Sequence, residues 1–492
     1  MNSQPRTIGS HIVVRNRTAL SIFLFLTSLP VAGQLNSPHQ NPPTNKDSAA
    51  KTKDARSILD RAKASALGIK NSFQRGLVLD EIGAAEAKIG DVDAAVDTAN
   101  QACPNNMATL TEIGGELGNS NDLAKARSIG PKLKGGGAST VFAFISRRQA
   151  EKGNVDEAFR TAEKIEAPEV RVDALQWIAQ QQAANGNYSG ARKTMALASA
   201  VDPARASAPE DVDMMIADVQ LTRGDIETAR ATVASMKSPE TRSAAMIGFA
   251  EELWRKGDKA GAAAWLSDAL QQLLAGPRYE FLRYFAIPIQ VKLGQKENAM
   301  QAAGALSRDM RPKGYMAVAI TCAEAKDTTC VDAAVERMKS TLSSEDKELS
   351  DFRMKLMVLN VTAALIDHDQ LEAASRWLAT AEQRVDDVSW TRGIEPETQL
   401  QHVFMLAQQD KFQEARALTL KMQSDSVADV HRGTALRTIA VLQTKKAGIA
   451  SSQSWAMALS DTEDRAYALL GIAQALLGIG EVKLAYSAIQ IH

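Results

Sequence analysis

Metal, nucleophilic and acid–base chemistry each need particular residue types at particular spacings, and this 492-residue chain offers few of them. Its six histidines are His11, His39, His368, His402, His431 and His492. None forms a helical His-x-x-x-His or His-Glu-x-x-His pair, so nothing predicts a zinc site. The "DHD" at Asp367–Asp369 reads as a polar turn. No Gly-x-Ser-x-Gly elbow is present, and "KGGGAST" at Lys134–Thr140 has a phosphate loop's glycines without the lysine that should follow them. That segment reads as a linker. The carboxylates are scattered over solvated helix positions, and no isolated pair stands out as a general acid and base. The expectation is a chain with no catalytic residue, no metal and no cofactor.

Three cysteines remain: Cys103, Cys322 and Cys330. The last two flank a turn in "TCAEAKDTTCVD". If that turn joins two antiparallel helices, an oxidising compartment would let them bridge; otherwise they are small buried thiols. Cys103 has no evident partner. Export is the expectation from the N-terminus, where Arg15 and Arg17 precede "TALSIFLFLTSLPVAG". That apolar stretch has the length of a secretory signal and is short for a membrane span. Cleavage would fall between Gly33 and Gln34. The expected organisation is a signal at 1–33, a disordered polar linker at 34–54 and a folded region at 55–492. The alternative is an uncleaved N-terminal anchor. No later segment is apolar enough to span a membrane.

Lys plus Arg number 57 against 58 Asp plus Glu, a balance that gives no electrostatic case for nucleic acid. Apolar residues make up 45% of the chain and aromatics only 5%, with Ala, Leu, Ile, Val and Met dominant. Strand-like runs are scarce, so the composition points to an all-α fold.

The elements that would position any site come from a repeat. "EKGNVDEAFRTAEKI" (Glu151–Ile165), "ANGNYSGARKTMAL" (Ala184–Leu197) and "TRGDIETARATVASM" (Thr222–Met236) share one plan. Turns centre near Gly90, Asn121, Gly153, Gly186, Gly224, Gly257, Gly294, Lys326, His368, Asp410, Lys446 and Gly480, about 35 residues apart. Five residues after most of them comes an alanine, such as Ala95, Ala158, Ala191 and Ala262; Val331 and Ser451 are the exceptions. Eight residues before come large apolar residues (Ile82, Ile145, Ile178, Phe249), and seven before come small ones (Gly83, Ser146, Ala179, Ala250). These offsets place two apolar stripes on two helices joined by a Gly-Asp or Gly-Asn turn. A further arginine recurs fifteen residues before the turn, at Arg75, Arg171, Arg242, Arg311, Arg353 and Arg465. Bonding to carbonyls at the end of the preceding helix is its expected role, ahead of a ladder for anionic ligands.

This pattern resembles the tetratricopeptide repeat, which "LQWIAQQQAANGNYSGARKTMALASAVDP" (Leu175–Pro203) matches over nearly a full unit. The family's tyrosine late in the first helix is here often glutamine: Gln149, Gln182, Gln220 and Gln290. The resemblance covers about residues 56–492. It implies an α-α superhelix, a solenoid of about twelve antiparallel helical hairpins, whose first helices line a concave groove. It also implies a scaffold that binds a protein or peptide there, with export suggesting a bacterial periplasmic or extracellular protein. Two alternatives are a groove-type glycan-active enzyme and a structural spacer in an envelope assembly.

The aromatic concentration "PRYEFLRYFAIPIQ" (Pro277–Gln290) is the expected peptide contact, with Pro288 kinking its helix. In the register of the resemblance, Phe281 and Tyr284 face the groove, joined from the preceding unit by Trp254 with Glu251 and Arg255. A slip of one residue would turn the rings inward. At the C-terminus, Leu484, Ile489 and Ile491 would be uncovered on the last helix, which predicts docking on a partner or self-association there.

Overall fold

A computed structural model describes residues 46–205, 209–273, 279–342, 347–382, 394–422 and 428–479. These residues form α-helices joined by turns, with a 3-10 turn at Gly130–Lys132. The helix α1 (Lys46–Leu67) comes first. Eleven hairpins follow, and the chain of described residues ends on one further helix. The first three hairpins are α2–α3 (Ser72–Lys88, Val92–Ala102), α4–α5 (Met107–Ser120, Leu123–Ile129) and α6–α7 (Gly137–Glu151, Val155–Ala162). Then come α8–α9 (Pro168–Ala184, Tyr188–Val201), α10–α11 (Pro209–Thr222, Ile226–Ser235) and α12–α13 (Pro239–Arg255, Lys259–Leu273). Next are α14–α15 (Glu280–Lys292, Lys296–Gly304), α16–α17 (Arg311–Glu324, Thr328–Leu342) and α18–α19 (Lys347–Asp367, Leu371–Glu382). The last are α20–α21 (Ile394–Gln408, Phe412–Thr419), α22–α23 (Ala428–Ala447, Ile449–Ala458) and the single helix α24 (Thr462–Leu477).

The turns are built as the repeat requires. Gly90, Gly153, Gly186, Gly224, Gly257 and Gly294 all have φ near +80°, and Asn121, Lys326, Asp369 and Asp410 take the same left-handed conformation. The next residue caps the second helix: Asp91 accepts from Ala94 N–H, Asp122 from Lys125, Asn187 from Gly190 and Asp258 from Gly261. Two turn centres shift by one residue from the sequence-based register. The left-handed residue is Asp369 rather than His368, which puts Ala374 at the small site. In α22–α23 the helix runs to Ala447, so buried Ser452 replaces Ser451 as the small residue. The cause is the same in both: each first helix extends a residue further than the turn chemistry suggested.

The recurrent arginine is structural. Arg75 donates to Ile69 O, Arg171 to Ile165 O, Arg242 to Met236 O, Arg311 to Leu306 O and Arg465 to Leu459 O. Each satisfies a carbonyl just before its own helix, where the preceding second helix has run out.

The glutamines that replace the family's tyrosine also have one job. Gln149, Gln182 and Gln220 each accept a hydrogen bond from a threonine twelve residues on: Thr161 (2.8 Å), Thr194 (2.6 Å) and Thr232 (2.8 Å). In the first hairpin Glu86 takes the same position and accepts from Thr98 at 2.5 Å. Gln290 has Ala302 at the partner position, and its buried Oε1 has no hydrogen-bond partner. Ala302→Thr is therefore expected to stabilise the protein by about 1 kcal/mol, read as a higher urea midpoint. Thr194→Val should lower stability by about 1–3 kcal/mol, since it orphans Gln182 Oε1.

First helices pack against first helices throughout: α2 on α4, α4 on α6, and so on to α22 on α24. Second helices pack mainly on the first helices of their own and the next hairpin, so they form the outer layer. The ends of the array then meet. α24 packs against α1 along its length and also touches α2. One core cluster joins Ile58, Leu59, Ala62 and Ala66 of α1 to Leu436, Ala440, Tyr467 and Leu469 near the other end. The relation of α24, α1 and α2 repeats that of any first helix, its second helix and the next first helix. The solenoid is thus a closed ring of twelve hairpins, the twelfth assembled from α24 and α1. Twelve first helices spaced by about 9 Å imply a ring of roughly 35 Å between opposite axes.

Two sequence-based expectations change accordingly. Of the polar linker expected at 34–54, the residues from Lys46 on are helical and belong to α1. Its Lys, Arg and Ala residues are good helix formers, and Ala55, Ile58, Leu59, Ala62 and Ala66 put one buried stripe on α24. α24 packs on α1; the residues after Gly480, which were expected to pair with it, lie outside the described residues. Leu484, Ile489 and Ile491, the expected C-terminal docking surface, lie outside the described residues, as do Gly33 and Gln34. Among the described residues, no helix is long and apolar enough to cross a membrane.

Candidate functional site: the inner wall of the ring

The face of each first helix opposite its own second helix looks into the ring. Most charges on this wall are held by a neighbour. Arg437 of α22 pairs with Glu81 of α2 across the closing seam, and Gln474 of α24 also donates to Glu81 at 3.4 Å. Lys88 pairs with Glu112 (3.2 Å), and Arg147 and Arg148 share Glu151 (2.8 and 2.7 Å). Lys292 of α14 reaches Glu251 of α12 at 2.7 Å. The Lys88–Glu112 and Lys292–Glu251 pairs tie successive first helices together, whereas Arg147, Arg148 and Glu151 all lie on α6.

The wall is otherwise uneven. Around α2 and α4 it carries small residues such as Ala84 and Gly115. From α6 to α14 it carries rings and long side chains. Phe144 of α6 stacks on Trp177 of α8 with centroids 5.3 Å apart, and the Arg147 guanidinium lies 5.2 Å from the Trp177 centroid. On α14, Phe281 and Phe285 meet edge to face at 4.5 Å.

The residues singled out from sequence divide within this region. Phe281 sits half-buried on the wall with Phe285, a member of the same aromatic cluster that was not assigned to the groove and that also packs on the core of α10–α14. Tyr284 turns instead toward the core formed with α16 and α17, and burial raises its pKa. The expected groove-facing position of Tyr284 is corrected: it lies one residue round the helix, in line with the neighbouring first helix. Trp254 donates its indole N–H to Lys292 O at 2.8 Å, and Lys292 Nζ lies 5.3 Å from its ring centroid. Trp254 is therefore an inter-helix clamp between α12 and α14. Glu251 belongs to the same clamp through Lys292. Arg255 is bidentate on Glu252 (2.7 and 2.8 Å), one turn back on its own helix. α14 continues through Pro288 to Lys292 as one helix.

Other tryptophans sit in the outer layer. Trp265, Trp377 and Trp455 occupy the position that threonine fills elsewhere, and each meets a cation: Arg230 at 4.5 Å, Lys339 at 5.7 Å and Arg416 at 4.4 Å. They join adjacent second helices. Cys322 and Cys330 are joined by a disulfide across the α16–α17 hairpin, with Cα atoms 5.8 Å apart, and Cys103 is free.

The residue that the sequence reading missed is Asp218 of α10. It lies in the wall-facing row that holds Arg147, Gln180 and Glu251 in other hairpins, yet it is only 8% exposed. Burial, followed by the nearby Glu252 charge, raises its pKa to about 7, against smaller opposing effects of Lys256 and Arg255. A raised carboxyl pKa means the folded state holds its proton more tightly than the unfolded chain. Its ionisation therefore removes stability as pH rises from about 4 to about 7. Asp218→Asn should raise the melting temperature at about pH 8 and have little effect near pH 4; equal shifts at both pH values would contradict this. No groups of metal-ligating side chains cluster among the described residues.

No protein family matches the chain, and no curated protein does. Among solved structures it is similar to the APC/C hetero-tetramer Cut9–Hcn1, at 11% identity over 85% of this chain and 98% of that one, TM-score 0.19. It is also similar to a circular tandem repeat protein with novel repeat topology and enhanced subunit contact surfaces, at 12% identity over 94% and 96%, TM-score 0.17. Overlap this weak does not fix an arrangement; the class follows from the chain's own hairpins. Left-handed Gly turns, a capping Asp or Asn, alanine at the close crossing and first-helix-on-first-helix stacking define an all-α helical-repeat protein whose hairpins resemble the tetratricopeptide repeat. Within that class it is a ring closed by α1, the first helix of the described residues.

Proposed function

We propose that the chain is an exported, non-catalytic scaffold that binds a protein segment on the inner wall of its ring. The observation that carries this reading is the break in the repeat between α6 and α14. Between α6 and α14 the wall presents Phe144, Trp177, Met215, Phe281 and Phe285, of which Trp177, Met215 and Phe285 also pack against core clusters. Half-buried rings beside mixed charge are what an extended or helical peptide uses for anchoring. The groove-enzyme alternative needs two free facing carboxylates, and Glu252 beside Asp218 is already engaged by Arg255 and Lys256. Export rests on the apolar stretch before Gly33 and accords with the disulfide at Cys322–Cys330.

Affinity capture from the source organism's envelope extract tests the reading. Wild type is compared with a Phe281→Ser/Phe285→Ser variant of matched melting temperature. A partner retained by wild type and lost by at least tenfold on the variant is expected, as two anchors of about 1.5 kcal/mol or more each would give. Identical recovery on both would remove the wall from α6 to α14 as the binding surface.

A further inference from the structure

Asp218 is unlike the other charges of the inner wall. Arg147, Glu251 and Glu81 occupy the wall on other helices, and each has an ion-pair partner. Asp218 is more deeply buried than any of these and makes no hydrogen bond or ion pair among the described residues. The charged groups that act on it all come from α12: Glu252, Lys256 and Arg255. All three are committed elsewhere. Arg255 is bidentate on Glu252, and Lys256 Nζ bonds Leu221 O at 3.0 Å and Thr222 O at 2.8 Å, closing the end of α10. A carboxylate largely removed from water, with 8% of the residue exposed and no protein donor, is costly. Native structures keep such groups where an occupant satisfies them.

The surroundings say what kind of occupant fits. Met215 lies on the same wall of α10 about one turn away, and Trp177 stands on the adjoining first helix, so the carboxylate is flanked by apolar surface on one side. A flexible aliphatic stem that ends in a cation matches that sequence of surfaces, with the stem on Met215 and the head on Asp218. Neutral donors would leave the charge uncompensated, and an anion is repelled by Asp218 and Glu252 together.

We propose that Asp218 is the receptor for a basic side chain, lysine or arginine, carried by the protein segment that occupies the inner wall. The proposal rests on the scaffold reading above and names its partner's chemistry. Bound cation and bound proton then compete for one carboxylate. Lysine and arginine keep their charge at every relevant pH, so binding weakens as Asp218 protonates.

The test is selection of a random, histidine-free peptide display library on the full chain and on Asp218→Asn. At about pH 8 the peptides selected by wild type are expected to share a lysine or arginine at one position, and those selected by the variant to lose it. A wild-type peptide should bind roughly 30-fold more weakly at about pH 5.5, since a carboxyl with pKa about 7 is then some 1.5 units below half-ionisation. Wild-type peptides without a shared base, or a base retained on Asp218→Asn, would overturn the proposal and leave the scaffold reading standing. Failure to select any peptide on either chain would contradict both. Should the variant misfold, the pH profile of wild type decides alone: affinity constant between the two pH values refutes the proposal.

Discussion

Removal of residues 1–67, and α1 with them, is expected to open the ring and destabilise the whole array. α1 is the second helix of the twelfth hairpin, so its loss strips α24 of cover along the face that includes Tyr467 and Leu469. Ile58 and Leu59 are 3% and 1% exposed, and burial of each is worth about 1.5–3 kcal/mol before the matching surface on α24 is counted. Lys63 also leaves: it lies 3.5 Å from Glu86, whose pKa burial already raises, and without it that carboxylate has only Thr98. The combined loss should exceed roughly 5 kcal/mol, enough to unfold a marginal end of the array or to drive it onto a second copy. Because α1 precedes the array as a separate helix, a synthetic peptide of residues 46–67 should bind the truncated chain and restore its melting temperature. Truncation without loss of stability, measured by urea titration, would contradict the assembly of the twelfth hairpin.

The second large effect is expected at Gly471. A Cβ there would collide with the carbonyl oxygen of Arg437 and sit 2.8 Å from Ala440 Cβ, so α22 and α24 would have to separate at the seam. Backbone cannot swing aside as a side chain can, and the expected cost of Gly471→Val is about 3 kcal/mol. Gly115 is the control. It too lies inside a first helix, but a Cβ there meets only Arg148 Nε at 4.0 Å. Gly115→Ala should gain about 0.8–1 kcal/mol of helix propensity, whereas Gly471→Ala should show a net loss. The two alanine variants share the propensity term, so the difference in their urea midpoints isolates the close approach at the seam. Equal gains at both positions would mean that α22 and α24 do not approach this closely.

Much of the framework was legible from single positions. The glycine turns, the alanine crossing and the recurrent arginine each repeat at a fixed offset, and a fixed offset has a fixed environment in a stacked array. The glutamine–threonine pair was equally periodic: Gln149 with Thr161, Gln182 with Thr194 and Gln220 with Thr232. It was overlooked because the glutamines were read only as departures from a tyrosine. Closure was not legible. It depends on the sum of small rotations across all hairpins, and no single residue carries that sum. α1 reads locally as a polar, lysine-rich stretch whose apolar face consists mostly of alanine. The site was legible in part. Phe281 was found because aromatics are rare in this chain, while Tyr284 and Trp254 were misplaced by one helical position, enough to move a ring from the wall into a helix interface. Asp218 looked like any solvated aspartate, since neither its burial nor the charges that act on it, some thirty positions away, can be read from its own neighbourhood in the sequence.

The central claim is that the two ends of the described chain form one hairpin. Gly68, at the end of α1, and Thr462, at the start of α24, provide the most direct test. A Cβ at Gly68 would lie 3.6 Å from Thr462 Cβ, within the range that a disulfide spans. In a Cys103→Ser background, Gly68→Cys/Thr462→Cys should oxidise to a disulfide within a monomer, seen as a faster-migrating band on a non-reducing gel and as one linked peptide pair by mass spectrometry. Failure to form this link under oxidising conditions, or a link found solely between two copies of the chain, would contradict the closed ring.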